Sequence, residues 1–367
     1  MRSSKTRKAD YSFITLLFIL IFFGLMILSS AGVAVGIRSF DDQYFFIKRQ
    51  LFLGFLPGLF LFLVLAKMNY EVWRKYATPI FGLGLFLLFL TFIPGIGSTN
   101  NTGTRSWINL LGFSFQPAEA MKLSLVIFMS AFLAKMGSKI ENLKEGFWPA
   151  LGVGVVPIGL VILQPDIGTT AILFAILIAL LFFANARFLH LSSLLLVAIV
   201  GFAFLVIIAP YRAERLTTFL HPELDPQGQG YQINQAFLAI GSGGVFGLGF
   251  GHSRQKFQYL PEVHGDSIFA IMSEELGFVV IIGFLFLLFL ILKQGFVIAK
   301  ECKDDFGKLL VSGIMFWFFA QSFLNIGAIV GILPLTGVPL PFVSHGGSAL
   351  LINMAAMGIV VSVSKHS

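Results

Sequence analysis

The segment YLPEVHGDSIFAIMSEELG, residues 259–277, concentrates side chains that could transfer a proton or bind a cation. Glu262, His264 and Asp266 lie close together in it, just before a long apolar run. A carboxylate beside a substrate hydroxyl can act as a general base, so Asp266 is a candidate for that role. The alternative is an acidic residue at a helix start, where the helix dipole stabilises negative charge.

Two more acids, Glu274 and Glu275, lie inside the apolar run, which continues as FVVIIGFLFLLFLIL, residues 278–292. An ionised carboxylate inside a membrane helix needs a partner or water. Inter-helix hydrogen bonding is one interpretation for both glutamates, and we expect it for Glu275.

A candidate cation lies in QPAEAMK, residues 116–122, which has the pattern of a helix start. Pro117 suits the first turn, Glu119 is favoured by the helix dipole, and Lys122 follows one turn deeper. One interpretation is a structural Glu119–Lys122 ion pair. The other is that Lys122 faces a polar cavity and binds an anion or an acid such as Asp266.

Three more charged residues are candidates. Asp166, in the turn QPDIGT, could contribute to a site or simply cap the following helix. Arg212 and Arg215 follow Pro210, where an apolar run ends. At the depth of lipid headgroups such arginines can bind phosphate, and a plain interfacial anchor fits the spacing equally well.

These residues must be positioned by membrane helices. Apolar residues make up 57 % of the 367 and charged residues 12 %, and the mean hydropathy is +0.89. This composition indicates an integral membrane protein. The formal charge of +7 reflects loop topology, so we expect no nucleic-acid partner.

The apolar runs predict an all-α bundle of ten transmembrane helices, because each is continuous and near the length that spans a bilayer. We expect one polytopic domain over residues 1–367, with a long extracytoplasmic loop over 210–266. Strands are not expected, since the runs do not alternate. The predicted spans are 12–35, 47–66, 77–94, 118–136, 148–163, 168–184, 190–209, 267–292, 308–331 and 346–363.

Lys and Arg are roughly twice as frequent in the loops on the side of the N-terminus as in the opposite loops, which predicts that both termini are cytoplasmic. The single cysteine, Cys302, would then lie in the reducing compartment. The outer face carries four polar loops that are rich in Gly and Pro, which predicts a site there. These loops are 102–119, 164–169, 211–265 and 334–348.

The sequence also argues against two kinds of site. The segment GSGGVFGLGFG, residues 241–251, lacks the Lys-Ser/Thr ending and preceding strand of a nucleotide-binding loop. Its glycines more plausibly allow close packing against a helix. No cluster has the spacing of a zinc site.

The chain resembles the SEDS family, which comprises the shape, elongation, division and sporulation proteins of bacterial cell-wall synthesis. The resemblance rests on RSWINL, QPAEAMK, QPDIGT, RAERLTTFLHPELDP, GYQINQAFLAIGSGG and PLPFVSHGGS, and covers nearly the whole chain. GHSRQKFQYLPE, residues 251–262, is closest to the division type, FtsW, or its sporulation relative. Four positions depart from the family pattern: Ala118 replaces a serine, Gly265 and Ser267 replace the Thr and Phe that flank the aspartate, and His345 replaces a tyrosine.

The resemblance implies a peptidoglycan glycosyltransferase that polymerises lipid II at the outer face of the membrane. The 4-hydroxyl of one sugar would attack the anomeric carbon of another, and undecaprenyl diphosphate would leave with inversion. Asp266 matches the family's essential aspartate and would be the general base. The expected substrate-binding residues are Trp107, Glu119, Lys122, Asp166, Arg212, Arg215, Glu262, His264 and Ser344.

The resemblance also implies a class B penicillin-binding protein as partner, a bacterial cytoplasmic-membrane location and action at the division site. A divalent cation, Mg²⁺ or Mn²⁺, could help neutralise the diphosphate, with no ligands assigned; no nucleotide is expected. Two other functions remain open from the sequence. A flippase for lipid-linked sugars would use the same charged cavity without covalent chemistry, and a scaffold would only bind a partner protein.

Overall fold

The fold is taken from a computed structural model of the chain. The structure describes residues 9–99, 104–110, 113–208, 217–222, 225, 228–257 and 259–366. Arg212 and Arg215 lie outside the described residues. The described fold is nearly all helical.

The helices match the apolar runs of the sequence, and shorter helices lie between them. In chain order they are α1 Tyr11–Ala31, α2 Val33–Phe40, α3 Phe45–Leu65, α4 Glu71–Leu90, α5 Pro117–Met136, α6 Trp148–Leu163, α7 Ile167–Phe183, α8 Phe188–Ile208, α9 Gln229–Gly243, α10 Ile268–Glu301, α11 Asp305–Ile329 and α12 Gly347–His366. Each of the ten predicted spans coincides with one of these helices.

Seven helical segments in the described part of the chain are long and apolar enough to cross a membrane. They are α1, α3, α5 and α6 with their flanking turns, α10, α11 and α12. Helices α7 and α8 are also apolar, but the apolar helical stretch in each is shorter than in these seven segments. Helix α4 begins with polar turns that carry Glu71, Arg74 and Lys75. The count of ten membrane crossings stays a prediction.

Small residues allow the central helices to approach closely. Helices α3 and α12 pack together, and a Cβ added to Gly358 would lie 2.8 Å from the carbonyl oxygen of Phe62. On the other side of the contact, a Cβ at Gly58 would lie 2.8 Å from the sulfur of Met354. Such contacts at small residues are a usual basis of helix packing in membranes. The hydrophobic effect does not drive helices together there, because the lipid tails are as apolar as the helix surfaces.

One loop contains strands, which the sequence analysis did not predict. Between α4 and α5, β1 (Gly97–Ser98), β2 (Trp107–Leu110) and β3 (Phe113–Phe115) form an antiparallel sheet in the order β1–β2–β3. The strands are too short for an alternating pattern to identify them. The sheet places Trp107 beside the start of α5.

Helix α10 is broken at Gly277, where φ is +74° and ψ is 177°. The glycine-rich segment after α9 fills the break. Leu248 N–H donates to the carbonyl of Glu274 at 2.9 Å and Gly249 N–H to that of Glu275 at 3.0 Å. In return, Phe278 N–H donates to the carbonyl of Gly244 at 3.0 Å. The backbone groups that the break would leave unpaired are therefore satisfied.

The side chains of Glu274 and Glu275 hold the same loop in place. Glu274 accepts hydrogen bonds from the Ser253 hydroxyl at 2.5 Å and from the backbone N–H of Arg254 at 3.0 Å. Glu275 pairs with the buried Lys256 ammonium at 2.8 Å. Glu275 also accepts a hydrogen bond from the Ser30 hydroxyl of α1 at 2.7 Å, which agrees with the inter-helix bond expected for this residue.

We expect Gly277→Ala to destabilise the protein strongly. Alanine rarely adopts a positive φ, and its Cβ would lie 2.2 Å from the backbone nitrogen of Gly247. Strain of about 1–3 kcal/mol adds to the cost of displacing the loop. Thermal unfolding in detergent, followed by tryptophan fluorescence, measures the effect. The control is Gly283→Ala in the same helix, because a Cβ there meets nothing within 4 Å; equal melting points for the two variants would contradict this account.

Candidate active site

A polar cavity of about 450 Å³ opens at one end of the bundle. Its walls come from β2, from the first turns of α5, α7 and α12, and from the loops that precede α10 and α12. The charged and aromatic residues that line it are Trp107, Glu119, Lys122, Asp166, Glu262, Asp266 and His345. The four loops that the sequence placed on one face thus contribute to one site.

Asp266 lies two residues before α10, at the cavity wall. Its Oδ1 atom accepts hydrogen bonds from Gln232 Nε2 at 3.3 Å and from the Ser267 hydroxyl at 3.5 Å. Burial, and then the nearby negative charge of Glu262, raise the pKa of the Asp266 carboxyl to about 7. A carboxylate with such a pKa is suited to accept a proton near neutral pH.

Lys122 is completely buried, yet it lies on the cavity wall. Its Nζ atom is 2.7 Å from Glu119 Oε1 and 2.7 Å from Gln321 Oε1. The ammonium also lies 5.2 Å from the centroid of the Trp317 ring, a cation–π arrangement. Lys122 therefore forms the ion pair with Glu119 and also lies at the cavity, while its binding of an anion stays a prediction. Among the described residues, Lys122 makes no direct bond to Asp266.

Asp166 also combines its two proposed roles. Its Oδ1 accepts from the backbone N–H of Thr169 at 2.9 Å, which caps α7. Its Oδ2 accepts from the Thr169 hydroxyl at 2.8 Å and from Gln116 Nε2 at 3.5 Å. The cap fixes the carboxylate at the mouth of the cavity.

Two predicted binding residues lie behind the cavity wall. The Ser344 hydroxyl donates to the carbonyl of Gly265 at 2.7 Å, which ties the loop before α12 to the loop before α10. His264 packs on the Phe46 ring, with centroids 3.9 Å apart. Burial lowers the pKa of His264, so its ring is neutral near pH 7. These two residues support Asp266 rather than line the cavity.

His345, one of the departures from the family pattern, contacts the same support. Its backbone N–H donates to the carbonyl of His264 at 2.8 Å, and its ring edge faces Phe46. Burial and, to a smaller extent, the electrostatic effects of His264 and Arg49 lower the pKa of His345 to about 3. The buried Gln50 amide binds the carbonyl of Ser344 at 3.1 Å. The loop before α12 is thus fixed from two sides.

Several residues of the site were missed by the sequence analysis. Gln232, Gln321 and Asn325 are amides inside apolar or mixed segments, with no spacing that marks them. Gln116 lies in a motif that drew attention to its charged members instead. The loop Thr336–Pro339 carries only small and apolar side chains, and it forms a wall of the cavity.

A family model described as cell cycle protein, for the group FtsW, RodA and SpoVE, matches residues 10–367. The chain belongs to the FtsW/RodA/SpoVE family. The SEDS resemblance drawn from the sequence motifs is confirmed.

Curated relatives of this family match the chain over nearly its whole length. Stage V sporulation protein E of Bacillus subtilis is 39 % identical over 365 residues, covering 100 % of this chain and 99 % of its own. The probable peptidoglycan glycosyltransferase FtsW of Trichlorobacter lovleyi is 38 % identical over 360 residues, covering 98 % of this chain and 94 % of its own.

Solved structures of the family share the fold. A chain from a peptidoglycan synthase complex, described as coordinating polymerization and crosslinking, superposes with a TM-score of 0.79 at 27 % identity, covering 97 % of both chains. The rod shape determining protein RodA of Thermus thermophilus gives a TM-score of 0.70 at 25 % identity, covering 98 % of both chains. The helical membrane fold predicted from the sequence is that of the FtsW/RodA/SpoVE family.

We expect the Asp266 carboxyl to titrate with a midpoint of about pH 7. Because burial and the charge of Glu262 favour the protonated form, the carbonyl stretch of the neutral acid should persist to near neutral pH and disappear above it. Infrared spectra of the purified protein, with Asp266→Asn subtracted, would isolate this band. The substitution keeps the other charged and titratable residues of the cavity, so we expect their infrared bands to cancel in the subtraction. These residues include Glu119, Lys122, Asp166 and His345. A midpoint near the ordinary value of 3.8 would show that the carboxyl is well hydrated.

Proposed function

We propose that this protein is a peptidoglycan glycosyltransferase that polymerises lipid II at the membrane surface. The observation that supports this most directly is Asp266, a half-buried carboxyl with a pKa of about 7 in a polar cavity at the end of a helical bundle. The family relatives that carry the name peptidoglycan glycosyltransferase support the same function. A substrate that is half lipid and half sugar phosphate requires a site at this boundary.

In the proposed reaction, Asp266 accepts the proton of the sugar 4-hydroxyl as that oxygen bonds to the anomeric carbon of the donor. The bond from that carbon to the diphosphate breaks, and undecaprenyl diphosphate leaves with its electron pair and with inversion. The leaving group is already a stable anion, so no general acid is needed. Asp266 must be ionised to accept the proton, so the rate should rise with pH through about 7.

The diphosphate needs cations, and Lys122 is the proposed one within the described cavity. An ammonium has three donors, and Lys122 directs two of them to Glu119 and Gln321. The remaining donor is the one proposed to bind the departing diphosphate. Glu119 orients the ammonium. Arg212 and Arg215 stay predictions of further phosphate contacts.

The remaining substrate contacts are proposals from the cavity lining. Trp107 offers a ring on which a sugar can stack, and Asp166 and Glu262 offer acceptors to sugar hydroxyls. The described residues contain no group of three or more His, Cys, Asp or Glu side chains that could hold a metal. Binding of Mg²⁺ or Mn²⁺ together with the diphosphate stays a prediction, and the proposed reaction uses no step through an ion.

The proposed setting is the bacterial cytoplasmic membrane, with both termini inside and the cavity on the outer face, at the division site. The proposed partner is a class B penicillin-binding protein, which crosslinks the new strand. The structural relative from a synthase complex that coordinates polymerization and crosslinking supports such a pairing.

The orientation predicts that a cysteine replacing Ser242 on α9 reacts with a membrane-impermeant thiol reagent added to intact cells. Ser242 is exposed, whereas the native Cys302 is buried and gives little background. Labelling of the Ser242→Cys protein only after lysis would reverse the proposed topology.

We expect Asp266→Asn to abolish glycan synthesis, with a loss of about 10²–10⁴-fold, because the amide cannot accept the proton. The assay is polymerisation of lipid II by the purified protein, with and without its transpeptidase partner. Asp304→Asn is the matched control. Asp304 caps α11 from outside the described cavity, and asparagine caps equally well.

Three outcomes are informative. Glycan strands from wild type and Asp304→Asn but not from Asp266→Asn support the proposal. Strands from Asp266→Asn at the wild-type rate would move the base to another residue. No strands from wild type, even with the partner, would contradict the polymerase and favour a flippase.

A further inference from the structure

A row of three polar side chains crosses the core on one face of α11. Trp317, Gln321 and Asn325 are spaced four residues apart, so they lie above one another along the helix. Their exposed fractions are 1 %, 0 % and 2 %. None of the three was singled out by the sequence, because single polar residues in an apolar run have no distinctive pattern.

Gln321 is bonded at both ends of its amide. Its Oε1 atom accepts from Lys122 Nζ at 2.7 Å and from the Trp317 indole N–H at 2.8 Å. Its Nε2 atom donates to the carbonyl of Pro339 at 3.0 Å. The partners fix the orientation of the amide, because only the oxygen can accept from two N–H donors.

Asn325, one helical turn away, bonds to the same region through the amino end of its amide, and its buried Oδ1 has no partner among the described residues. Its Nδ2 atom donates to the backbone carbonyl of Asp266 at 2.8 Å and to that of Val338 at 2.8 Å. Two carbonyl acceptors require the amino end of the amide, so this orientation is also fixed. Asn325 thereby holds the residue proposed as the base through its backbone and leaves its carboxylate free.

The two amides donate hydrogen bonds to the carbonyls of two consecutive residues in one loop. Val338 and Pro339 belong to the loop before α12, and both line the cavity together with Lys122 and Asp266. Helix α11 therefore connects the proposed cation, the proposed base and a wall of the cavity through two side chains. A change in the position of either amide would alter the relative position of these three parts.

The row is poorly explained by stability alone. A buried hydrogen bond contributes only about 0.5–1.5 kcal/mol net, because it replaces a bond to water. Apolar side chains of similar volume would pack in a helix of this kind with no polar group to satisfy. The chain instead carries two amides whose hydrogen bonds to described residues outside α11 all lead to the site.

We propose that Gln321 and Asn325 are positioning residues of the transferase site, holding the Lys122 ammonium and the Asp266 backbone in register through the Val338–Pro339 loop. This rests on the proposed function for its effect on catalysis, but its structural part can be tested without activity. Gln321 acts through Lys122, on the leaving diphosphate. Asn325 acts through Asp266, on the attacking hydroxyl.

The activity test for Gln321 compares two variants, and which of them is more active depends on the role of Gln321. Gln321→Glu keeps oxygens that accept from Lys122 and Trp317, whereas Gln321→Met keeps the volume and loses every hydrogen bond. A positioning role predicts that Gln321→Glu retains at least about 10-fold more activity than Gln321→Met. A purely structural role predicts the reverse, because a buried extra carboxylate costs more stability than an apolar side chain. The reverse order would overturn the proposal for Gln321.

The activity test for Asn325 uses Asn325→Leu. We expect kcat to fall about 10- to 100-fold with KM within about threefold of wild type, because the base is misplaced while the substrate contacts remain. Asn353→Leu is the matched control, since Asn353 is equally buried but bonds only to Ala349 of its own helix, at 2.7 Å. Comparable losses in the two leucine variants would overturn the proposal for Asn325. Rates are compared per folded molecule, from the thermal melt and the monodisperse fraction.

Hydrogen exchange provides the readout that does not need activity. In Asn325→Leu, amide exchange should accelerate in both 262–267 and 334–340, while α11 itself stays protected. In Asn353→Leu neither segment should change. Unchanged exchange in both loops of Asn325→Leu would overturn the proposal even if activity were lost. If wild type makes no glycan, the proposed function fails, and the exchange result alone decides whether the two amides hold the loops.

Discussion

The cost of placing charge in an apolar bundle governs how this structure is built. An ionised group taken out of water is stable only when another charge or several hydrogen bonds replace its hydration. Lys122 is paired with Glu119 at 2.7 Å, and Lys256 with Glu275 at 2.8 Å. Asp266 has no such cation among the described residues, and its pKa is raised accordingly. The two buried lysines are neutralised in pairs, while the proposed base is left available to take a proton.

The same constraint accounts for the loops. Backbone groups near the bilayer must be bonded, so the segments that build the cavity are tied to helices and to one another. Ser344 binds the carbonyl of Gly265, Gln50 binds that of Ser344, and Asn325 binds those of Asp266 and Val338. The irregular segments that form the site are therefore held in place by hydrogen bonds to helices and to one another. This explains how residues from four loops can keep one geometry.

Much of the site could be predicted from the sequence, because its charged members contrast with their apolar surroundings. Asp266, Lys122, Glu119 and Asp166 were identified in this way, and Trp107 through the family resemblance. The structure brings all five to one cavity. The helices were predictable for the same reason, since a continuous apolar run of sufficient length has few other structures open to it.

What could not be predicted depends on contacts between distant segments. Gln321 and Asn325 look like ordinary polar residues until the fold shows what they bond. His264 and Ser344 were assigned to the substrate, and the structure places them behind the wall, because sequence distance from Asp266 does not show which way a side chain points. Gly277 gave no signal of a break, since an isolated glycine is common in membrane helices.

The break in α10 has a consequence for how the protein is made. The groups around Gly277 are satisfied in the finished fold only by residues 244–249, which lie earlier in the chain across a separate loop. A continuous helix through Gly277 would satisfy those groups internally while the segment enters the membrane. We therefore expect the helix to insert straight, with the break forming when the glycine-rich loop docks. Folding would then end with a local change of structure at Gly277, and the two halves of α10 would take their final directions only at that step.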